Sequence, residues 1–155
     1  MTRQFDVRVG AYAVILREGK VLLAHWNEHG NNCWALPGGG LELLEDAPTA
    51  AVREVMEETG YAAVLDELLG VDSLFVPGAD RLRGEGLPLH ALRVIYRAHI
   101  TGGSLRAEQG GSTDQAAWVP LEDLDSLPTT TLVPIGLKLA AAGGTAGRQL
   151  PSAGP

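Results

Sequence analysis

The sequence predicts one α/β (or α+β) domain with a mixed sheet, and three observations lead there. Strand-like segments stand both before and after a single well-bounded central helix. The chain has 155 residues, enough to bury one hydrophobic core and short for two. Its composition, 45% hydrophobic and 20% charged, is that of an ordinary globular protein.

The elements follow in order. Val7 to Leu16 (VRVGAYAVIL) reads as a strand whose apolar character becomes nearly continuous, as in a buried strand. Glu18-Gly19-Lys20 turns the chain, and Val21 to Trp26 returns as the second arm of a hairpin. NEHGNN is a polar loop, and Trp34 to Leu36 is a short apolar piece before Pro37 and a turn of three glycines. A helix is expected from Ala47 to Thr59. Asp46 is its N-cap, Pro48 falls in the first turn where a missing N–H is harmless, and Gly60 suits the position just past the end.

Tyr61 to Val76 has strand character in parts, and PGADRLRGEGLP is a loop. Leu89 to Ile100 is the clearest strand, with Leu92, Val94 and Tyr96 alternating against Arg93 and Arg97. AAWVPLEDL predicts a strand that opens into a helical turn. TLVPIGLKLAAA predicts a C-terminal helix with Pro134 in its first turn. The domain is expected to occupy residues 1–142, and the Pro/Gly-rich residues 143–155 to form a disordered tail.

Charge and cysteine content exclude several classes. The formal net charge is −7 and the pI about 5.0, which opposes non-specific binding to a nucleic-acid backbone. A small phosphorylated ligand is not excluded, because a cation can bridge like charges. Cys33 is the only cysteine, so no intrachain disulfide can form and a structural zinc site is not expected. Neither a secretory segment nor a membrane span of about 20 apolar residues is present in the sequence. A reducing, cytoplasmic compartment and no membrane association are the expectation.

The chemistry concentrates between Trp34 and Tyr61, WALPGGGLELLEDAPTAAVREVMEETGY. At about 100° per residue, Glu54, Glu57 and Glu58 share one helical face. Val52, Val55 and Met56 are expected on the opposite side, toward the core, while Ala47, Ala50 and Ala51 leave the glutamate side open. Arg53 meets Glu57 at i,i+4 and offsets part of the repulsion. Two readings of this face stand side by side: a solvated acidic surface, or a site for a divalent cation. Glu42 and Glu45 add carboxylates nearby, and glycines permit close ligand approach. Hard oxygen ligands of this kind suit Mg²⁺ or Mn²⁺, completed by water and substrate phosphates.

These residues resemble the Nudix box of the Nudix hydrolase family, G-x5-E-x7-R-E-U-x-E-E-x-G-U with U a bulky aliphatic residue. Gly39 stands at the first glycine, Glu45 at the first glutamate, Arg53 and Glu54 at the RE pair, Glu57 and Glu58 at the EE pair, and Gly60 at the last glycine. Two positions depart: Tyr61 at the final U, and Leu44 where many relatives have glycine. The hairpin before the box, the long strand after it and WVPLEDL extend the likeness over roughly residues 7–142, toward the MutT-like and ADP-ribose pyrophosphatase-like groups. It implies an α/β/α sandwich and hydrolysis of a nucleoside diphosphate linked to a moiety X, with Mg²⁺ or Mn²⁺ as cofactor. Glu57 and Glu58 are the first metal ligands it implies, Glu54 follows, and the carbonyl of Gly38 is another. Arg53 would hold the glutamates in position by hydrogen bonds. The general base is left open between Glu54, Glu57 and two loop acids, Glu108 and Asp114.

An ADP-ribose-type substrate is slightly favoured. The alternatives are a housecleaning nucleoside-triphosphate pyrophosphatase and a non-catalytic nucleotide-binding domain of the same fold. The partner expected is a small nucleotide-type substrate, and homodimer formation is left open. Trp26, at a strand end beside a polar loop, is a candidate for stacking a base, whereas Trp34 and Trp118 read as core. His25 and His90 read as surface or hydrogen-bonded strand histidines. Arg81 and Arg83 read as exposed loop arginines, and Cys33 as a small hydrophobe.

Overall fold

A computed structural model of the chain describes residues 4–81, 84 and 86–143. Seven strands alternate with two helices. β1 (Asp6–Arg17) and β2 (Lys20–Trp26) form the first hairpin, followed by two short strands, β3 (Cys33–Ala35) and β4 (Gly38–Gly40). α1 (Ala47–Thr59) leads into β5 (Tyr61–Val76), β6 (Leu89–Gly103), β7 (Thr113–Pro120) and α2 (Leu132–Ala142). The helical turn expected after WVP is a 3-10 turn, Leu121–Ser126.

The sheet runs β3-β2-β1-β6-β5, with β4 added to β1 and β7 to β2. β1 pairs parallel with β6 but antiparallel with β2 and β4, so the sheet is mixed. Alternation along β1 sends side chains to two layers. Val14 joins Leu36, Leu69, Ile95 and the α2 residues Leu132, Val133 and Leu139. Ala13 and Ile15 face the other way, against Val55 of α1, Leu22 and Tyr61. One helix therefore covers each face, the α/β/α arrangement. α2 packs closely because Gly136 carries no side chain: a Cβ there would come within 2.7 Å of Leu36 and 3.0 Å of Val14.

α1 starts and stops where its caps dictate. Asp46 accepts a bond from the Thr49 amide, Pro48 lies in the first turn, and Gly60 turns the chain at φ 79°.

Three expectations change. β5 is one continuous 16-residue strand, irregular against β6 at three places, rather than strand only in parts. The three glycines are a strand, not a turn: Gly38, Gly39 and Gly40 pair with Tyr12, Ala11 and Gly10. Helix α1 is also rotated from the expected orientation. Its buried residues are Ala50, Ala51, Val55, Glu58 and Thr59, while Met56 is 39% exposed and Val52 half-buried. The alanines do not leave the glutamate side open. Ala50 and Ala51 pack on Ala11, Leu65 and Tyr96, because small side chains let the helix approach the sheet. That rotation turns Glu58 inward.

Gly143 follows the end of α2, and the rest of the expected tail, like Arg83, lies outside the described residues. No helix among the described residues is long and apolar enough to cross a membrane.

Candidate active site

The site is built where α1 crosses β4. Gly39 lacks a Cβ, and one placed there would lie 2.5 Å from Oε1 of Glu54. Gly38 presses on the Ala11 carbonyl and the Tyr12 ring in the same way, and its amide donates to Oε2 of Glu58 at 3.0 Å. The glycine strand is thus what lets the helix set its glutamates against the sheet. Glu58 is 6% exposed, and burial pushes its carboxyl well above the usual range despite the Gly38 amide. Glu54 is raised for the same first reason, partly relieved by Arg53.

Arg53 ties the remaining acids together. Its Nε and Nη2 bind Glu45 at 2.7 and 2.9 Å, and its Nη1 reaches Glu54 at 3.0 Å and Glu57 at 3.1 Å. Nη2 also donates to the Gly40 carbonyl at 3.2 Å. Those contacts use all five N–H donors of a guanidinium. The bond to Arg53 holds the Glu45 carboxyl down at about 2, helped by the backbone at Glu42.

The two loop acids separate. Glu108 accepts from the Thr113 hydroxyl at 2.7 Å, and its charge raises both Glu54 and Glu58. Asp114 instead accepts from His25 at 2.6 Å and Asn27 at 2.8 Å, away from the glutamates. His25 is buried between Asp114 and Asn32, a hydrogen-bonded strand histidine. Trp34 and Trp118 pack against core clusters, and Cys33 is half-buried.

Beside the glutamates lies a cleft of about 650 Å³. Gly38, Gly39, Gly40, Glu54 and Glu58 form one part of its wall, and Trp26 another. Glu57 is absent from that wall and joins the group through Arg53. Arg8, Arg81 and Arg93 line the cleft too. Only the pairing of β1 with β6 brings Arg8 and Arg93 there, so no motif announces them.

Among the described residues no three His, Cys, Asp or Glu side chains already converge on one point. The donor set nonetheless suits a hard divalent cation: Glu54, Glu57, Glu58 and Glu108 stand near one another, and among the described residues Arg53 pairs with Glu54 and Glu57 alone of these four. Two of those carboxylates lose hydration by burial. A cation would relieve both the mutual repulsion and the desolvation.

The likeness to known proteins agrees with this geometry. The ADP-ribose pyrophosphatase of Methanocaldococcus jannaschii is 35% identical over 121 residues, covering 77% of this chain and 64% of that protein. A putative 8-oxo-dGTP diphosphatase of Bacillus subtilis is 42% identical over 62 residues, 40% of this chain and 41% of that one. The chain thus spans less than two thirds of these relatives' length. The crystal structure of a MutT NUDIX hydrolase from Burkholderia pseudomallei superposes with a TM-score of 0.70 at 31% identity, covering 86% of this chain and 98% of that one. The NUDIX domain signature runs over residues 5–139, through all seven strands and into α2, and the chain belongs to that family.

Proposed function

We propose that this protein is a divalent-cation-dependent pyrophosphohydrolase that cleaves the diphosphate of a nucleoside diphosphate linked to X. The observation that carries this reading is the ratio of charges at α1. One guanidinium serves Glu45, Glu54 and Glu57, while Glu58 and Glu108 add two more carboxylates that have no cationic partner among the described residues. A polyanionic diphosphate cannot approach that surface alone.

Glu57, Glu58, Glu54 and the Gly38 carbonyl are the groups that would hold Mg²⁺ or Mn²⁺. When bound there, such a cation would neutralise phosphate charge and lower the pKa of a coordinated water. Arg53 keeps the glutamates aligned, and Glu45 and Gly40 fix Arg53 in turn. Burial raises Glu54 and the charge of Glu108 reaches it, which supports these two as the candidates to take a proton from the attacking water, Glu54 serving as base only where it does not hold the cation. Trp26 lines the cleft and offers a face for the base.

ADP-ribose is the first substrate to test, given the Methanocaldococcus relative's activity. A nucleoside triphosphate is the second, given the activity named for the Bacillus subtilis relative. Nucleotide substrates and a single cysteine suit the reducing cytoplasm. Phosphate release from ADP-ribose, nucleoside triphosphates and nucleotide sugars should vanish with chelator and return with Mg²⁺ or Mn²⁺. Full turnover in metal-free buffer would overturn the proposal.

A further inference from the structure

Among the carboxylates around α1, Glu108 comes from farthest along the chain, in the loop between β6 and β7. That loop is pinned at both ends. Near its start the Ser104 amide donates to the Gly60 carbonyl at 3.3 Å, and the Arg106 amide to the Thr59 carbonyl at 2.8 Å. A Cβ on Gly60 would collide with the Ser104 carbonyl, so the glycine that ends α1 also admits the loop. At the far end the Ser112 carbonyl accepts from the Asn27 amide at 3.1 Å, and Asp114 bonds His25 and Asn27. Glu108 therefore sits on a span fixed against α1 on one side and against the end of β2 on the other.

Between those anchors the loop closes around the Glu108 carboxylate. Its Oε2 accepts from the Thr113 hydroxyl at 2.7 Å and from the Thr113 amide at 3.4 Å, which leaves Oε1 for a ligand. Thr113 is 6% exposed, so its hydroxyl is largely removed from solvent. Side chains alternate where β7 begins, and Thr113 meets Glu108 while Asp114 turns to His25. Gly111 makes the room. A Cβ there would overlap the Glu108 carboxylate. Gly110 turns the chain at φ 76°, but Gly111 is not left-handed, so only the carboxylate stands in the way of a side chain at 111.

Such a holder needs a reason. The charge of Glu108 raises the pKa of both Glu54 and Glu58, so the three carboxylates repel one another. A glutamate on a loop gains side-chain entropy and loses that repulsion by swinging into water. The Thr113 bonds oppose both tendencies.

We infer that Gly111 and Thr113 are positioning residues that fix the Glu108 carboxylate beside Glu54 and Glu58, so that its charge adds to those that hold the cation. The inference rests on the pyrophosphohydrolase reading above and says how one of its acids is kept in place. A carboxylate set in advance loses little freedom when the site is filled, which strengthens binding without adding a contact.

The test uses the full chain and Mn²⁺ as probe, with binding followed by electron paramagnetic resonance in the absence of any substrate. Glu108→Gln should raise the Mn²⁺ Kd about 10-fold, the lower end for loss of a group that supports a metal site. Gly111→Ala displaces the carboxylate and Thr113→Val removes its hydroxyl partner, and each should weaken Mn²⁺ several-fold. Thr113→Ser keeps the hydroxyl and should stay near wild type. In a Glu108→Gln background, Gly111→Ala and Thr113→Val should add nothing, because they act through Glu108. The Mn²⁺ concentration for half-maximal hydrolysis should rise in parallel, with urea midpoints confirming that each variant is folded. That binding pattern in a chain that hydrolyses no diphosphate would support the positioning role and sink the hydrolase reading. Mn²⁺ binding unchanged in every variant, losses that persist in the Glu108→Gln background, or Thr113→Ser as weak as Thr113→Val would overturn the inference and leave that reading intact.

Discussion

The two charged regions of the cleft use arginine in opposite ways. At α1 a single guanidinium spends all its donors on Glu45, Glu54, Glu57 and Gly40, and carboxylates remain in surplus. On the opposite wall, the loop residue Arg81 pairs with Asp6 of β1 and Arg93 of β6 with Asp72 of β5, while the exposed Arg8 of β1 has no carboxylate partner among the described residues. Matched pairs hold strands together. Unmatched carboxylates are where the proposed cation would complete the set at α1. The same contrast shows why counting ion pairs says little about function: the pairs that close are the structural ones.

The sharpest way to break this comparison is to remove surplus charge at α1. Glu57→Gln should cut kcat about 100-fold or more, as loss of one transition-state electrostatic group does. Stability should stay within about 1 kcal/mol, because Glu57 is exposed. Val55→Asp is the control for fold: it buries a carboxylate in a fully enclosed position and should destabilise by about 4 kcal/mol or more. Denaturant melts and initial rates on both variants separate the two effects, and an unfolded Glu57→Gln beside a stable Val55→Asp would reverse the assignment of faces.

Next in size is Arg53→Lys. An ammonium keeps the charge but cannot make the five directed bonds, so kcat should fall about 10-fold or more with a smaller change in KM. Wild-type kcat at saturating Mg²⁺ would return Arg53 to a plain surface role.

The matched pairs provide a graded test of burial. Arg93 and Asp72 are 9% and 14% exposed, so Arg93→Ala strands a buried carboxylate and should cost about 3–5 kcal/mol. Asp6 is 44% exposed, and Arg81→Ala should cost about 1 kcal/mol or less. Equal losses in urea titrations would show that burial is not what separates the pairs.

The smallest effect concerns His25, outside both charged regions. The bond to Asp114 raises the His25 pKa against burial, and the same bond lowers that of Asp114. The histidine contribution is therefore complete below its ordinary pKa, about 6.5, and is lost as pH rises through the higher folded value. The Asp114 contribution is present above its ordinary pKa and is lost as pH falls through the depressed one. His25→Gln should flatten the alkaline decline in a stability–pH series. An unchanged slope would show that the pair is thermodynamically silent.

Much of α1 was legible because its signals are local. Asp46, Pro48 and Gly60 bound the helix through bonds within a few residues, and the helical repeat alone puts Glu54, Glu57 and Glu58 on one face. Which way that face points was not legible. Val52 and Met56 are as apolar as Val55, and the choice fell to Ala50 and Ala51, which fit closer to β1 than a larger side chain can. Leu44 shows the limit from another side. It sits at φ 67° in the left-handed region, 99% exposed, so the glycine many relatives carry there relieves backbone strain while the chain path survives a leucine.

The sequence by itself determined the first hairpin, the bounds of α1, the acidic repeat and the family, because caps, turns and residue spacing act over distances the chain carries within itself. Only the tertiary structure decided that three glycines form a strand, that Glu58 is buried, that Glu108 joins the glutamates while Asp114 goes to His25, and that Arg8 meets the Tyr12 hydroxyl. Each of those depends on register between segments far apart in the chain. Cross-strand register follows from which side chains fit against which, a property of the packed core rather than of any one segment.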